Sequence, residues 1–345
     1  MKSICGVLLA GAALVAGSFG ADEAKDSKGL SWKHGLNFQV RKAGQTKFDD
    51  KTPKFGAEIF LDRDVKKLVY VGETGAIGVA PADKLAEGQD VKAPRLYHAL
   101  EVRVRGPGED AFTDKTTKYS SEVFKDVNAD ALVFICETGA LAVAPGAGVS
   151  AAEKVKDPVW FHGLELKARK TGEKEFSDKT KKIGLEVYKD ENTNQLFYIT
   201  NVNKTEGGQI AVVPAGSAAK PTDVKGPTWF HAFEIKVRKA DEKEFTKDTK
   251  VYSFEVYKDE NANTLIYVSE TGAISVVPAG SVSKPSSSKE PKWLHGRSFR
   301  VRKADEPDFN DKTQRFGAEV YRDENTGNLV YVTETGALTV FAPKK

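Results

Sequence analysis

The sequence repeats itself five times after residue 30, and this repetition constrains the fold more than any other feature. The chain has five histidines, one in each copy, and they are 64, 64, 69 and 64 residues apart. They are His34, His98, His162, His231 and His295. A fixed period of this length is typical of repeat architectures, in which each copy is one supersecondary unit. The period therefore takes precedence over the two domains that 345 residues would otherwise suggest.

The copies define one repeat domain, which we predict over residues 30–345. They run over residues 32–81, 96–145, 160–214, 229–278 and 293–343. Connectors rich in Lys, Ala, Ser and Pro separate them, as at residues 279–289, and such composition predicts loops.

Each copy predicts four antiparallel strands. The first strand alternates Leu36, Phe38 and Val40 with polar neighbours, which is the period-two pattern of a half-buried strand. The second ends at an Asp and a D-E-N-T type turn, whose residues tolerate left-handed backbone. The third, as at residues 329–333, is mainly apolar at consecutive positions, and a Thr-Gly turn leads into the fourth. The fold class is therefore all-β.

The third strand distinguishes between two architectures. A strand that is apolar on both faces must be covered on both faces. Four-stranded sheets packed face to face around an axis achieve this, so we predict a five-bladed β-propeller. A string of small SH3-like β-barrels is the alternative, because the connectors are long for blade junctions.

Two charged positions recur in every copy. An Arg follows each His by seven residues and a Glu follows it by 24. A hairpin of strands one and two predicts that Arg41 lies opposite Glu58, as a cross-strand ion pair that contributes about 0.2–1 kcal/mol. A ligand site is the alternative. With the histidines, these residues form the predicted frame of each repeat: Arg41, Arg105, Arg169, Arg238, Arg302, Glu58, Glu122, Glu186, Glu255 and Glu319.

Tryptophans head four copies, and Leu96 takes their place in the second. Exposed indole rings can stack on sugars, but a large aromatic residue can equally fill a junction between blades, and we favour the second interpretation. The third copy alone carries an insertion, within residues 201–209. The candidate ligand-binding residues are therefore Trp32, Trp160, Trp229, Trp293, Asn203 and Glu206.

The sequence predicts neither a metal site nor a cofactor. The histidines could bind a metal together only if they converged on a central tunnel. The D-E-N-T turn lacks the spaced oxygen ligands and the closing Glu of a calcium loop.

Catalysis usually needs an asymmetric set of groups in one cleft, whereas every candidate group here is copied with little variation. No G-x-S-x-G, H-E-x-x-H or phosphate-loop motif is present. We therefore predict that the chain is not an enzyme. A formal net charge of +3 with interspersed signs also argues against a nucleic-acid partner.

Residues 1–20 resemble a secretory signal peptide, with a basic start, an apolar stretch and small residues before a cleavage site. Residues 21–29 form a polar tail, and no later segment is apolar enough for a transmembrane helix. We expect an exported protein that is periplasmic, on the cell surface or extracellular.

The expected function is a secreted, non-enzymatic binding or scaffold protein. Equivalent sites gain avidity from linkage, which favours multivalent recognition of a glycan or a cell-surface protein. A structural envelope or matrix protein is the second interpretation, and an enzyme with its site in a propeller tunnel is the third.

Overall fold

The computed structural model describes residues 29–82, 91–203 and 207–343. The predicted signal peptide and all of the polar tail except Gly29 lie outside these ranges. The described residues form twenty β-strands and no helix. They accordingly contain no helix that could span a membrane.

The strands follow one another in five groups of four, one group for each repeat. Blade 1 contains β1 (Leu30–Gln39), β2 (Lys54–Asp62), β3 (Lys67–Gly72) and β4 (Ile77–Pro81). Blade 2 contains β5 (Arg95–Val104), β6 (Thr117–Asp126), β7 (Ala131–Cys136) and β8 (Leu141–Pro145). Blade 3 contains β9 (Val159–Ala168), β10 (Lys181–Asp190), β11 (Gln195–Asn201) and β12 (Gly207–Pro214). Blade 4 contains β13 (Thr228–Val237), β14 (Lys250–Asp259), β15 (Thr264–Ser269) and β16 (Ile274–Pro278). Blade 5 contains β17 (Lys292–Val301), β18 (Gln314–Arg322), β19 (Leu329–Thr333) and β20 (Leu338–Phe341).

The five sheets form a closed ring. Each is antiparallel, and its strands are ordered as in the sequence. The fourth strand of each blade contacts the fourth strands of both neighbours, and β20 contacts β4. Fourth strands therefore surround the axis, and first strands form the outer edge. The prediction of a five-bladed β-propeller is confirmed, and the string of separate barrels is wrong.

Apolar residues of neighbouring blades share one core at each junction. Leu36 and Phe38 of blade 1 pack with Phe124 of blade 2. Phe60 of blade 1 packs with Phe299 of blade 5 in the same way, which closes the ring. Every residue of β7 is buried, as the run of apolar residues in the third strands predicts. Burial of apolar surface on both faces of each sheet, at about 25 cal/mol per Å², is therefore a main source of stability.

Two kinds of short turn shape each blade. The turn between the second and third strands places Lys66, Asp130, Asn194 and Asn263 at φ between 49° and 54°. In the turn before the fourth strand, glycine is favoured for two reasons: the backbone has positive φ, and a neighbouring blade lies close to the Cα atom. A Cβ on Gly75, which has φ 82°, would lie 2.7 Å from Cγ2 of Thr335 in blade 5. The positive φ of the backbone and the closeness of the neighbouring blade thus both favour glycine at this position.

The first strand begins earlier than its alternation predicts. In blade 1, β1 starts at Leu30 and includes Trp32 and His34, with a β-bulge between them. The bulge changes the alternation, so Trp32 remains partly exposed while His34 is buried.

Candidate functional site

The central tunnel is narrow and aliphatic. Its cavity of about 40 Å³ is lined by the five inner strands, and Ser275 and Thr339 supply its only side-chain hydroxyls. The Ser275 hydroxyl already accepts a hydrogen bond from the Val340 N–H at 2.8 Å. A Cβ on Gly78 would lie 2.5 Å from Cγ2 of Val143, so the inner strands are in close contact. A space of this size holds a few water molecules at most. The space among the inner strands is therefore too small for most metabolites, and it offers few polar groups.

The recurring Arg and Glu join neighbouring blades. Arg41 Nε lies 2.7 Å from Glu122 Oε1, and Nη2 lies 3.1 Å from Oε2. The predicted pair of Arg41 with Glu58 is wrong, because Glu58 lies opposite Gly35 in the sheet and Arg41 lies beyond the end of β1. The arrangement recurs at all junctions, as Arg105 with Glu186, Arg169 with Glu255, Arg238 with Glu319 and Arg302 with Glu58.

The tryptophans belong to the same junctions. Trp32 Nε1 donates a hydrogen bond of 2.7 Å to Glu58, and its ring meets Phe309 of blade 5 edge-on at 5.8 Å. Trp160, Trp229 and Trp293 repeat both contacts, with Glu186 and Phe112, Glu255 and Phe176, and Glu319 and Phe245. Blade 2 has Leu96 instead, so Glu122 lacks an indole donor. Packing across the junctions thus accounts for the indole rings.

Each histidine contacts an Asp of the next blade, at the last position of its second strand or, for Asp323, directly after it. His34 Nε2 lies 3.0 Å from Asp126 Oδ2, and both side chains are buried. The other pairs are His98 with Asp190, His162 with Asp259, His231 with Asp323 and His295 with Asp62. All five histidines lie in first strands, at the outer edge. They therefore do not converge on the tunnel, the one place where they could have bound a metal together.

Burial and hydrogen bonding oppose each other at these Asp residues. Burial raises the pKa of Asp323, but hydrogen bonds from His231 and Thr326, with the charge of His231, outweigh it and lower the pKa to about 2. Tyr267 also donates to Asp323, and burial raises the pKa of that hydroxyl well above its usual range. Asp323 is therefore ionised at neutral pH, and these contacts stabilise the blade 4 to blade 5 junction.

One junction carries an additional cation. Asp62, Asp64 and His295 have ligand atoms within 4.8 Å of one another, a spacing that could hold a metal ion. Arg297 already donates to both carboxylates there, at 2.9 Å to Asp62. The other repeats have Leu36, Leu100, Leu164 or Phe233 at this position. The cation of this cluster is therefore a side chain of the protein itself.

The same junction, between blade 5 and blade 1, contains a cleft of about 300 Å³ on the outer part of the ring. We call it the closing cleft. Its lining residues are Gly35, Leu36, Asn37, Gly56 and Glu58 from blade 1, and Arg302, Lys303, Asp305, Glu306 and Pro307 from blade 5.

At three other junctions a glutamate bridges the corresponding place. Glu101 accepts a hydrogen bond of 2.5 Å from the N–H of Gly44, in the loop of the preceding blade. Glu165 accepts from Gly108 at 2.9 Å, and Glu234 accepts from Gly172 at 2.7 Å. We call this contact the glutamate clasp. At the closing cleft its two positions carry Asn37 and Asp305, and no clasp joins these residues.

The loop at the closing cleft departs from its counterparts in backbone and charge. Asp305 has φ 66° where Gly44, Gly108 and Gly172 also have positive φ, a conformation that costs less for glycine. Its carboxylate lies 2.7 Å from Lys54 Nζ. Glu306 accepts hydrogen bonds from the Lys303 N–H and the Asn310 amide, and the first of these contributes most to lowering its pKa. The cleft thus presents ionised groups of both signs.

Sequence reasoning singled out other residues. Asn203 lies in the turn between β11 and β12, and Glu206 lies outside the described residues. Neither Asn37 nor Asp305 was identified, although a signal existed. Aligning the five copies shows Glu replaced by Asn37 and Gly replaced by Asp305 at paired positions. The blade 4 to blade 5 junction carries a similar change, with Ser298 and Asp241.

No family model matches the chain, and no curated protein matches it either. Two solved structures are similar. One is a catalytically inactive virginiamycin B lyase from Staphylococcus aureus with quinupristin, at 12% identity and a TM-score of 0.12, over 92% of this chain and 75% of that one. The other is a streptogramin B lyase, at 9% identity and a TM-score of 0.11, over 92% of this chain and 89% of that one.

Both similar structures are enzymes. This comparison contradicts the prediction that the chain is not an enzyme but a binding or scaffold protein, and it does not test the predicted export. The identities and TM-scores are too low to transfer an activity, so we assign no reaction on their account.

Proposed function

We propose that the protein binds a small polar molecule, as ligand or substrate, in the closing cleft. The observation that carries this proposal is the replacement of the glutamate clasp by Asn37 and Asp305 at the junction that contains the cleft. Its volume of about 300 Å³ lies at the lower end of the range typical of small-molecule sites. The proposal concerns one site, in contrast to five equivalent ones.

Polar groups with remaining hydrogen-bonding capacity line the cleft. Asn37 is exposed, and its side-chain amide has no partner among the described residues. Asp305 engages Lys54 through one carboxylate oxygen, and the second oxygen is available. Lys303 is exposed at the same edge. These groups offer donors and acceptors to a polar molecule and little apolar surface.

An ion pair and hydrogen bonds hold the inner part of the cleft together, and its opposite charges are paired. Glu58 is buried and accepts from both Arg302 and Trp32. Arg302 also donates to the Pro307 carbonyl, which fixes the loop above the cleft. A ligand would therefore meet an inner wall that is already formed, and ordering this part of the protein would cost little binding energy.

Export of the protein is a further part of the proposal. Its support is the apolar stretch at residues 4–16 behind Lys2. The ligand would then be a molecule that the protein meets outside the cytoplasm.

The test restores the missing clasp. In the double variant Asn37→Glu with Asp305→Gly, the closing cleft acquires the residues of the blade 1 to blade 2 junction. We would screen amino acids, monosaccharides and short organic acids by saturation-transfer NMR, expecting compounds that bind the native protein and not the variant. The matched control is Ser298→Glu with Asp241→Gly, which makes the same change at another junction and should leave binding intact. If no compound binds the native protein, or if every compound that binds it also binds the double variant with the restored clasp, the proposed site is wrong.

A further inference from the structure

The closing cleft has room for a group that three other junctions supply from within the chain. We infer that its ligand binds through a carboxylate, placed where the carboxylates of Glu101, Glu165 and Glu234 lie at those junctions. This inference rests on the proposed function and specifies the class of ligand.

The loop N–H is the first support. The equivalent loop N–H groups of Gly44, Gly108 and Gly172 each donate to a glutamate carboxylate, at 2.5, 2.9 and 2.7 Å. The N–H of Asp305 has no acceptor among the described residues. A backbone donor at the wall of a cleft is a good partner for an anion, because hydrogen bonds to charged acceptors are roughly twice as strong as neutral ones.

Asn37 is the second support. Its side chain is one methylene shorter than that of the glutamate it replaces, and it ends in an amide. It therefore cannot serve as a carboxylate, but its NH₂ group can donate to one. Lys303, which also lines the cleft, adds a positive charge at the exposed edge.

The acidic residues of the cleft repel an anionic ligand less than their number suggests, because each of them already has a partner. Glu58 is paired with Arg302 at 2.6 Å. Asp305 is paired with Lys54, and both oxygens of Glu306 accept hydrogen bonds. Asp305 nevertheless remains the closest like charge to the proposed carboxylate, because it belongs to the residue whose N–H would donate. This repulsion predicts modest affinity in the native protein.

The distance from the first strand to the loop, which a glutamate side chain spans at other junctions, limits the length of the ligand. At the clasped junctions a glutamate side chain extends from the first strand to the loop. A ligand that replaces this span and also reaches Asn37 needs a carboxylate and a second hydrogen-bonding group a few bonds away. The class is therefore a short-chain carboxylic acid with a second polar group, such as a dicarboxylate, a hydroxy acid or an amino acid.

Glutarate and its uncharged counterpart glutaramide are the probes. We expect saturable NMR shifts at the closing cleft with glutarate, and at least about tenfold weaker binding of glutaramide, because hydrogen bonds to a charged acceptor are stronger than those to a neutral one. Asn37→Glu should abolish glutarate binding by supplying the carboxylate internally. Asp305→Gly should tighten it severalfold by removing the like charge. Ser298→Glu is the control and should change neither.

Equal binding of glutarate and glutaramide would overturn the carboxylate inference but leave the proposed site standing. Glutarate could also fail to bind while other screened compounds bind the native protein and not the double variant Asn37→Glu with Asp305→Gly. That result too would overturn the carboxylate inference and leave the proposed site standing. Glutarate binding that Asn37→Glu leaves unchanged would place the carboxylate elsewhere and also overturn the inference.

A second variant tests the same chemistry away from the cleft. Glu165→Ala removes the clasp between blades 2 and 3 and leaves the Gly108 N–H without its carboxylate. Added propionate should raise the melting temperature of this variant more than that of the native protein. Glu165→Gln is the control, because its side chain still fills the position beside the Gly108 N–H and should leave no room for propionate. If propionate stabilises Glu165→Ala and Glu165→Gln equally, it does not bind at the vacated position and the inference fails.

Discussion

Arg302 of blade 5 and Glu58 of blade 1 form the same two-point ion pair that joins the other four junctions, with Nε and Oε1 2.6 Å apart. The two residues are 244 positions apart in the chain, whereas Arg41 and Glu122 are only 81 apart. Each blade is built from one continuous repeat, and no strand is exchanged between the ends of the chain. Among the described residues, the ring is therefore closed without strand pairing, by contacts in which at least one partner is a side chain, such as the bond from the Ala304 N–H to Glu73.

Removal of this closing pair should strongly destabilise the ring. Arg302→Ala leaves buried Glu58 without its counter-charge, which typically costs about 3–5 kcal/mol. Arg302→Lys keeps the charge but loses the fork geometry, so we expect a smaller loss. Urea unfolding measures both values. Arg105→Ala, at an internal junction, is the comparison, and a loss below about 1 kcal/mol for Arg302→Ala would show that closure depends on other contacts.

Leu96→Trp should stabilise the protein. The variant supplies Glu122 with the indole donor that the other four glutamates have, and it offers Phe48 an edge-on partner. An aromatic pair contributes about 0.5–1.5 kcal/mol beyond its burial. We expect a higher melting temperature by calorimetry, and a lower one for the converse change Trp160→Leu. A decrease for Leu96→Trp would mean that the junction has repacked around Leu96.

Arg297 and Asp64 should show strong coupling in a double-mutant cycle. Arg297→Leu leaves the carboxylates of Asp62 and Asp64 close together without the guanidinium, so it should be destabilising by several kcal/mol, as loss of a buried ionic partner usually is. Asp64→Asn together with Arg297→Leu gives the junction residues found in other repeats and should recover most of this loss. The free energies of unfolding of the four proteins provide the test. Additive effects would contradict a direct interaction.

The protein should lose stability as the pH falls from about 4 to about 2. The pKa of Asp323 is about 2 in the folded protein, below the value of about 3.9 for an unfolded chain. Its contribution is therefore complete above pH 4 and disappears as the pH falls through the folded pKa. The pKa values of Asp62, Asp126, Asp190 and Asp259 are lowered too, since hydrogen bonds and charges outweigh burial, which by itself would raise them.

Denaturant titrations at several pH values measure this dependence. Asp323→Asn should be less stable at neutral pH and should show a shallower loss below pH 4. An unchanged acid slope in this variant would show that Asp323 does not contribute to the transition.

Deletion of one complete repeat should prevent monomeric folding. Four blades would leave the apolar faces of the two end blades uncovered, in contrast to a solenoid that merely becomes shorter. We expect aggregation, oligomers or loss of cooperative melting, measured by light scattering and calorimetry. A monomeric four-repeat protein with native-like melting would contradict the closed ring.

Much of the blade could be predicted from local pattern. Alternation at Leu36, Phe38 and Val40 predicts the first strand, and turn residues predict the hairpins. The start of β1 was missed because a bulge between Trp32 and His34 interrupts the alternation. The partner of Arg41 was missed because a repeat offers each Arg five equivalent Glu residues, and spacing alone favours the one in the same copy.

The sequence by itself determined the repeat, the four strands of each blade and the need to bury both faces of the third strand, since these depend on periodicity and composition within about 64 residues. Only the tertiary structure decided which blade supplies each partner. It alone showed that Asn37 and Asp305 face one cleft, while Glu101 meets Gly44 at another junction. The physical reason is that these contacts cross from blade to blade, and their geometry exists only once the ring has closed.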